Sequence, residues 1–290
     1  MSMQVDWKQI AFENRSLNIN SHRFLGEGWN CVSYLVDDEL VFRFPKRASC
    51  WPELDREIRF LEFAADHLPL PVPLYLNVVE HSSAVAHGYA VYRYLRGRAL
   101  DLRRLSNTQR DRLAEAIAAF LLALHSIKPG APLDALLPRE DALAAAQEYL
   151  DAAKREVFSR LESHVARLVT SQFEAYMSAP ENFSFQPVVL HADLSHEHIL
   201  MENDSIAGVL DFGDVNWGDA DYDFMYLFVE FGETFVASVA RAYGHPDPER
   251  LMIKLRYYGI ADQIGTMVQG KDFAPAAQRR AAWQCLKQLA

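Results

Sequence analysis

The spacing of apolar residues changes once along this chain, and that change limits the fold more than any single motif. Up to about residue 95 they fall in short runs such as ELVFRF and GYAVYRYL, which predict strands, around one helical stretch, PELDREIRFLEFAADHL. Beyond it the spacing turns helical. LSNTQRDRLAEAIAAFLLALHSI starts at Ser106, a residue suited to an N-cap. KPGAPLDALLP then breaks the pattern, and EDALAAAQEYLDAAKREVFSRLESHVARL resumes the helix. Two short strands, in QPVVLHADL and SIAGVLDFG, precede more helix. A sheet-rich part over 1–95 and a helix-rich part over 96–290, crossing near Arg93 to Gly97, predict an α+β chain of two lobes. No internal repeat or low-complexity tract is visible.

Composition narrows the partners. Half of the 290 residues are apolar, enough for a large core. Lys plus Arg is 29 and Asp plus Glu 39, a net charge of −10. That balance repels nucleic acid and anionic lipid and favours a cationic small molecule. Cys31, Cys50 and Cys285 lie far apart without a CxxC pair, which argues against a zinc ribbon or a disulfide framework and suits packing roles in a reducing cytosol. The start, MSMQVDWKQI, lacks a signal pattern, and the longest apolar run, AIAAFLLAL, is too short to span a bilayer. The expectation is a cytoplasmic protein without a membrane partner, acting as a monomer.

HADLSHEHIL, residues 191–200, carries His191, Asp193, His196 and His198. Three imidazoles so close together suggest zinc, but a hydrolase built on them needs further ligands. GVLDFGD, which follows, fits another chemistry better. Protein kinases place H-R-D-x-x-x-x-N on a catalytic loop and D-F-G on a later turn. Here Asp193 and position 198 keep that spacing, Asp211-Phe212-Gly213 follows, and His198 stands where the asparagine would be. Phosphoryl transfer wants a carboxylate beside the acceptor hydroxyl, a role for Asp193, and hard ligands for Mg²⁺, a role for Asp211 with neutral His198 as substitute. His191 reads as a loop support. His196 receives no role, and Asp214 reads equally as a solvated loop acid.

A kinase also needs a phosphate cover and a cation. FLGEGWNCVSY supplies Gly26 and Gly28 between two strands, with Cys31 at the third glycine position of G-x-G-x-x-G. Alone this is an ordinary hairpin; its weight comes from standing ahead of the cation, the glutamate helix and the two acidic loops in that order. ELVFRFPKR offers Arg43 and Lys46 on opposite strand faces. The register favours Arg43, whose planar guanidinium grips phosphate in bidentate fashion, with Glu57 in REIRFLEF as its partner.

On these residues the chain resembles the antibiotic phosphotransferases of the aminoglycoside kinase family and, within it, the aminoglycoside 2''-phosphotransferases. The resemblance runs over nearly the whole chain, through LGEGWNCVSY, VFRFPK, REIRFLEF, LPLPVP, FLLALHSI, HADLSHEHIL and GVLDFGDVNWGDADYDFMYL. It implies a protein-kinase-like two-lobed fold, ATP or GTP as donor, Asp193 as base, and His198 and Asp211 as Mg²⁺ ligands. Arg93, Tyr94 and Leu95 would form the hinge that meets the purine, with Tyr92 at the gate of the pocket. Acidic residues on C-terminal helices would hold the polycationic drug: Glu230, Glu233 and Asp262. From the residues alone, Glu230 and Glu233 lie three apart and share a helical face, which fits a cleft-facing pair and a solvent-facing pair equally well, and Trp217, Tyr222, Tyr257 and Tyr258 read as packing. Many relatives carry lysine where Arg43 stands, whereas several macrolide kinases carry arginine, so drug class is open. The expected reaction is transfer to an aminoglycoside hydroxyl, 2''-OH first; a macrolide or small-metabolite acceptor and a nucleotide-binding pseudokinase are the alternatives.

Overall fold

The computed structural model describes residues 5–14, 19–268 and 276–288. In chain order its elements begin with α1 (Trp7–Glu13), β1 (His22–Glu27), β2 (Cys31–Val36), β3 (Leu40–Pro45), α2 (Trp51–Ala64), β4 (Tyr75–Val79), β5 (Tyr89–Arg93) and β6 (Arg98–Ala99). They continue with α3 (Asn107–His125), α4 (Leu133–Leu136), α5 (Ala142–Glu156), α6 (Ser163–Met177), β7 (Val188–Leu190), β8 (Ile199–Glu202), β9 (Ser205–Val209) and β10 (Asn216–Gly218). Helices α7 (Met225–Tyr243), α8 (Pro248–Val268) and α9 (Ala276–Gln288) close the series. The chain divides into two compact units, residues 1–100 with 198–214 and residues 101–197 with 215–290.

The first unit is built on an antiparallel sheet in the order β1-β2-β3-β5-β4. Strand alternation sorts its side chains onto two faces. Phe42, Phe44, Tyr89 and Val91 form one core with Ile10 of α1, and Cys31 and Ala90 pack with Leu54 and Ile58 of α2 on the other. Arg43 pairs across β3 and β5 with Ala90, so it falls on the α2 face. Strands β6, β8 and β9 form a second antiparallel sheet. The Val209 amide bonds to the Pro71 carbonyl at 2.9 Å, and the wholly buried Phe212 packs on Phe60 of α2.

In the second unit α3 packs against α7, α7 against α8, and α5 against both α6 and α8. Ser106 caps α3 through a reciprocal capping box with Gln109. Strands β7 and β10 pair antiparallel beneath this helical layer. The single helix expected over 140–168 is instead α5 and α6, separated by a 3-10 turn at Phe158–Arg160. The reason lies in phase. At about 100° per residue the buried positions 146, 150, 153 and 157 form one stripe and 165, 169, 173 and 176 another, roughly 120° further round the axis, so each half reads as helix but no single straight helix buries both. Among the described residues no helix is long and apolar enough to cross a membrane.

Candidate active site

In the first unit four residues expected to handle nucleotide come together around one guanidinium. Arg43 Nη1 donates to Glu57 Oε2 at 2.6 Å, and Nη2 reaches Asp211 Oδ1 at 3.3 Å. Asp211 Oδ2 stands 3.6 Å from His198 Nε2. Glu57 is fully buried, and the Arg43 side chain is nearly so. Burial opposes the guanidinium charge, yet Glu57, Tyr75 and Asp211 more than offset it and hold Arg43 protonated well above the ordinary arginine range. Lys46 has a different partner, Glu27 Oε1 at 2.5 Å, so between the two cations Arg43 is the one placed with Glu57.

Backbone geometry aims these groups. Asp211 has φ +64°, a left-handed conformation that a non-glycine residue adopts at a cost of about 1–3 kcal/mol and that concentrates at functional loops. The Leu210 amide donates to the His198 carbonyl at 2.8 Å, tying the segment that carries Asp211 to the one that carries His198. Asp214 still reaches solvent, but the surrounding protein and the charges of Asp211 and Glu53 push its pKa up to about 6. Gly26 lies beside a bulge in β1, and the Gly28 amide donates to the Cys31 carbonyl at 3.0 Å. No atom stands within 4 Å of where a Cβ would be at either glycine, which leaves room over the hairpin. Cys31 is buried, and burial pushes its thiol up to about 11, as suits a packing residue.

Tyr92 is buried and meets the Tyr75 ring edge-on at 5.4 Å between centroids. Arg93 is exposed; the Tyr94 amide is occupied by the Glu39 carbonyl at 2.7 Å, and Leu95 packs on Gly208.

In the second unit Asp193 sits on a loop held by one buried carboxylate. Asp223 accepts from the His191 amide at 3.0 Å, from the Ala192 amide at 2.8 Å and contacts His125 Nε2 at 3.0 Å. The His125 Nδ1 lies 2.9 Å from the Tyr243 hydroxyl. Ala192, next to Asp193, has φ +65°. His191 is wholly buried, and its Nδ1 accepts from the Asp193 amide at 3.2 Å. His196, given no role from sequence, clasps Glu230 through its amide at 2.7 Å and its Nδ1 at 2.9 Å.

The acids assigned to the acceptor are not arranged as expected. Glu230 and Glu233 do not share a helical face, because Gly232 between them has φ +81° and ψ 172°, a conformation open essentially to glycine alone, and kinks α7. Glu230 turns to His196, while Glu233 is exposed, 3.7 Å from Arg256. Asp262 accepts from the Tyr226 hydroxyl at 3.0 Å; burial and the Glu230 charge push its pKa up to about 6 against that hydrogen bond. The four aromatic residues left to packing do pack. Trp217 is buried under the Arg139 guanidinium, and Tyr258 hydrogen-bonds Asp219 at 2.8 Å. Tyr257 stacks on Tyr176, and Tyr222 meets the Tyr258 ring edge-on.

Among the described residues no three His, Cys, Asp or Glu side chains group as a metal site, so the zinc reading of the histidine-rich stretch finds no ligand set. A different fit is open to Asp211 and His198. Their donors, 3.6 Å apart, are closer than the ~4.1 Å between opposite ligands of an ion bound at ~2.0–2.1 Å, so one ion can reach both, and Mg²⁺ ordinarily completes its shell with phosphate oxygens and water. Sequence reasoning missed Asp223, His125 and Tyr75. The acidic run DADYDF and the histidine of FLLALHSI were visible, but nothing local said that they meet the Asp193 loop.

A kinase-like α+β fold, an Asp-bearing loop and an Arg-Glu-Asp cluster define a phosphotransferase. The chain belongs to the phosphotransferase enzyme family APH, whose model matches residues 21–253. Among solved structures, the GDP and kanamycin complex of APH(2'')-IIIa is similar with a TM-score of 0.90 at 27% identity, over 97% of this chain and 96% of that one. ADP-bound aminoglycoside phosphotransferase APH(2'')-Ib gives 0.75 at 26% identity, over 98% and 97%. Macrolide 2'-phosphotransferase type I shares the fold at 0.74 and 22% identity, over 99% of both chains.

Proposed function

We propose that this chain transfers the γ-phosphoryl group of ATP or GTP to a hydroxyl of an aminoglycoside, the 2''-OH first, and so confers resistance from the cytoplasm. The observation that carries the reading is the meeting of Arg43, Glu57, Asp211 and His198, with Arg43 and Asp211 separated by 168 positions, in a chain of the phosphotransferase family. Relatives at 26–27% identity that bind GDP, ADP and kanamycin support the donor and acceptor classes.

In this reading Gly26 and Gly28 let backbone amides approach the phosphates, Arg43 contacts the α/β-phosphates, and Glu57 orients it. The Arg93 to Leu95 backbone meets the purine, with Tyr92 at the gate. Asp211 and His198 hold Mg²⁺, which when bound neutralises charge on the phosphates. Asp193 is five residues from His198 in sequence, at most ~18 Å of extended chain. It orients the acceptor hydroxyl and takes its proton as the oxygen bonds to the γ-phosphorus and the bond to the β-phosphate bridge breaks. Glu230, Glu233 and Asp262 meet the ammonium groups of the drug. The product gains a charge of about −1.5 to −2, which cancels part of the drug's affinity for RNA.

The test is a matrix of ATP and GTP against kanamycin, gentamicin and a macrolide, read as magnesium-dependent release of ADP or GDP, followed by NMR of the product. Release with kanamycin and a phosphate at its 2''-oxygen is the expected result. Release with the macrolide alone would move the acceptor class. Nucleotide binding without turnover on any acceptor would make the chain a nucleotide-binding module and overturn the reading.

A further inference from the structure

Tyr75, on β4 at the edge of the sheet, enters the Arg43 cluster from a strand that carries no family motif. Its hydroxyl donates to Glu57 Oε1 at 3.0 Å and accepts from Arg43 Nη1 at 3.1 Å. The other Glu57 oxygen, Oε2, takes Arg43 Nη1 at 2.6 Å. The three side chains thus close a ring in which each Glu57 oxygen has its own donor and Nη1 directs its protons to Oε2 and to the tyrosine. Glu57 is fully buried, so an oxygen without a donor there has no water to turn to. Tyr75 is itself placed by the sheet. It pairs with Tyr92 of β5, and a register shift between Tyr75 and Asn77 follows directly. A bulge of this kind re-aims the side chain next to it.

The ring meets a need that arginine has at this place and lysine would not. An ammonium is a point charge with three donors on a flexible stem, and one carboxylate is enough to set it. A guanidinium is a planar fork, and its phosphate-facing nitrogen is aimed only if the rotation of the fork is fixed at a second point. With Nη1 held by both Glu57 and Tyr75, Nη2 is left facing Asp211. From this geometry we infer that Tyr75 is a positioning residue: its hydroxyl fixes the plane of the Arg43 guanidinium and thereby sets how tightly the diphosphate of the nucleotide is held. The inference rests on the reading of Arg43 as the phosphate contact.

The test measures binding of Mg·GDP, Mg·ADP and the corresponding nucleosides by calorimetry, with no acceptor present, so it does not depend on which drug is used. Tyr75→Phe keeps the ring and removes the hydroxyl. It should weaken diphosphate binding on the order of tenfold, the scale of one hydrogen bond to a charged group, and leave nucleoside binding unchanged. In an Arg43→Lys background the same change should alter diphosphate binding less than twofold, because the ammonium has no plane to fix. A role confined to packing predicts equal losses for diphosphate and nucleoside and the same loss in both backgrounds, and either result overturns the inference. Should Tyr75→Phe fail to fold, Tyr75→Met, a flexible apolar filler, replaces it in the same cycle with the outcomes read the same way. Arg43→Ala separates the two levels. If it weakens diphosphate no more than nucleoside, the phosphate reading of Arg43 fails; if it weakens diphosphate strongly while Tyr75→Phe matches the native chain, only the positioning role fails.

Discussion

Asp211 and Asp193 both follow or occupy a left-handed backbone position, yet their loops are held in opposite ways. The Asp211 carboxylate lies between two cationic or basic side chains, Arg43 and His198, so charge sets its place. The Asp193 loop is hung by backbone amides from one buried carboxylate, Asp223, so hydrogen bonds set its place. The difference suits the two roles proposed for them. A metal ligand must stay ionised and exchange a protein cation for a bound one, whereas a base must keep a fixed position and a carboxylate able to accept a proton.

The sharpest way to break this contrast is at the base. Asp193→Ala should lower kcat by about 10² to 10⁴, the range of general-base contributions, and leave the Kd for Mg·GDP or Mg·ADP within about twofold. A variant turning over at the native rate would remove Asp193 from the mechanism. Next comes the peg. Asp223→Ala strips a buried acceptor from two amides and from His125, so denaturant unfolding should show a loss of about 2–5 kcal/mol, with kcat falling as the loop loosens. A loss under 1 kcal/mol would mean that the loop is held by something else.

These two residues also show what a sequence carries. The Arg43–Glu57 pair was legible because strand alternation assigns Arg43 a face and a single helix supplies the acid. Ser106 was legible because a cap is a local device. Asp223 was not, since its partners lie about thirty and ninety-eight positions away and an acidic run before a helix looks like solvated surface. Tyr75 stood beyond reach for the same reason: two of its contacts come from other elements, and a bulge sets its aim. The α7 kink was present in the text as a lone glycine, but helical spacing of Glu230 and Glu233 argued the other way.

A titration sharpens the contrast further, because the unit with the pegged loop also holds a charge-tuned acid. Asp262 has its pKa raised to about 6 from 3.8, so the folded chain binds more protons than the unfolded one between those values. Stability should therefore fall as pH rises from about 4 to 6, by at most about 3 kcal/mol, and Asp262→Asn should flatten that part of the profile. At pH 6 a bound polycation should pull the proton off Asp262, seen as proton release in calorimetry across buffers of different ionisation enthalpy. Gly232→Ala comes next in size. Nothing crowds the position, so its cost is backbone conformation alone, about 1–3 kcal/mol of stability. A neutral result would mean that α7 straightens at no cost.

Glu233 should give the smallest effect, and for that reason it tests the acceptor assignment most cleanly. Its carboxylate is exposed, and its cationic neighbour Arg256 stands 3.7 Å away and is exposed as well. Such a pair contributes about 0–1 kcal/mol to stability and is screened by salt. Glu233→Gln should therefore leave Tm within about a degree or two. A long-range attraction for a polycation shows instead in the acceptor KM, which should rise about two- to fivefold at low ionic strength and converge on the native value as salt is added. Glu230→Gln, by contrast, should raise acceptor KM at both ionic strengths, because it also frees the His196 end of the loop that bears Asp193. If the two variants gave the same salt dependence, the kink at Gly232 would not divide the acids into an anchored one and a solvated one, and the lining of the acceptor site would have to be drawn from other residues.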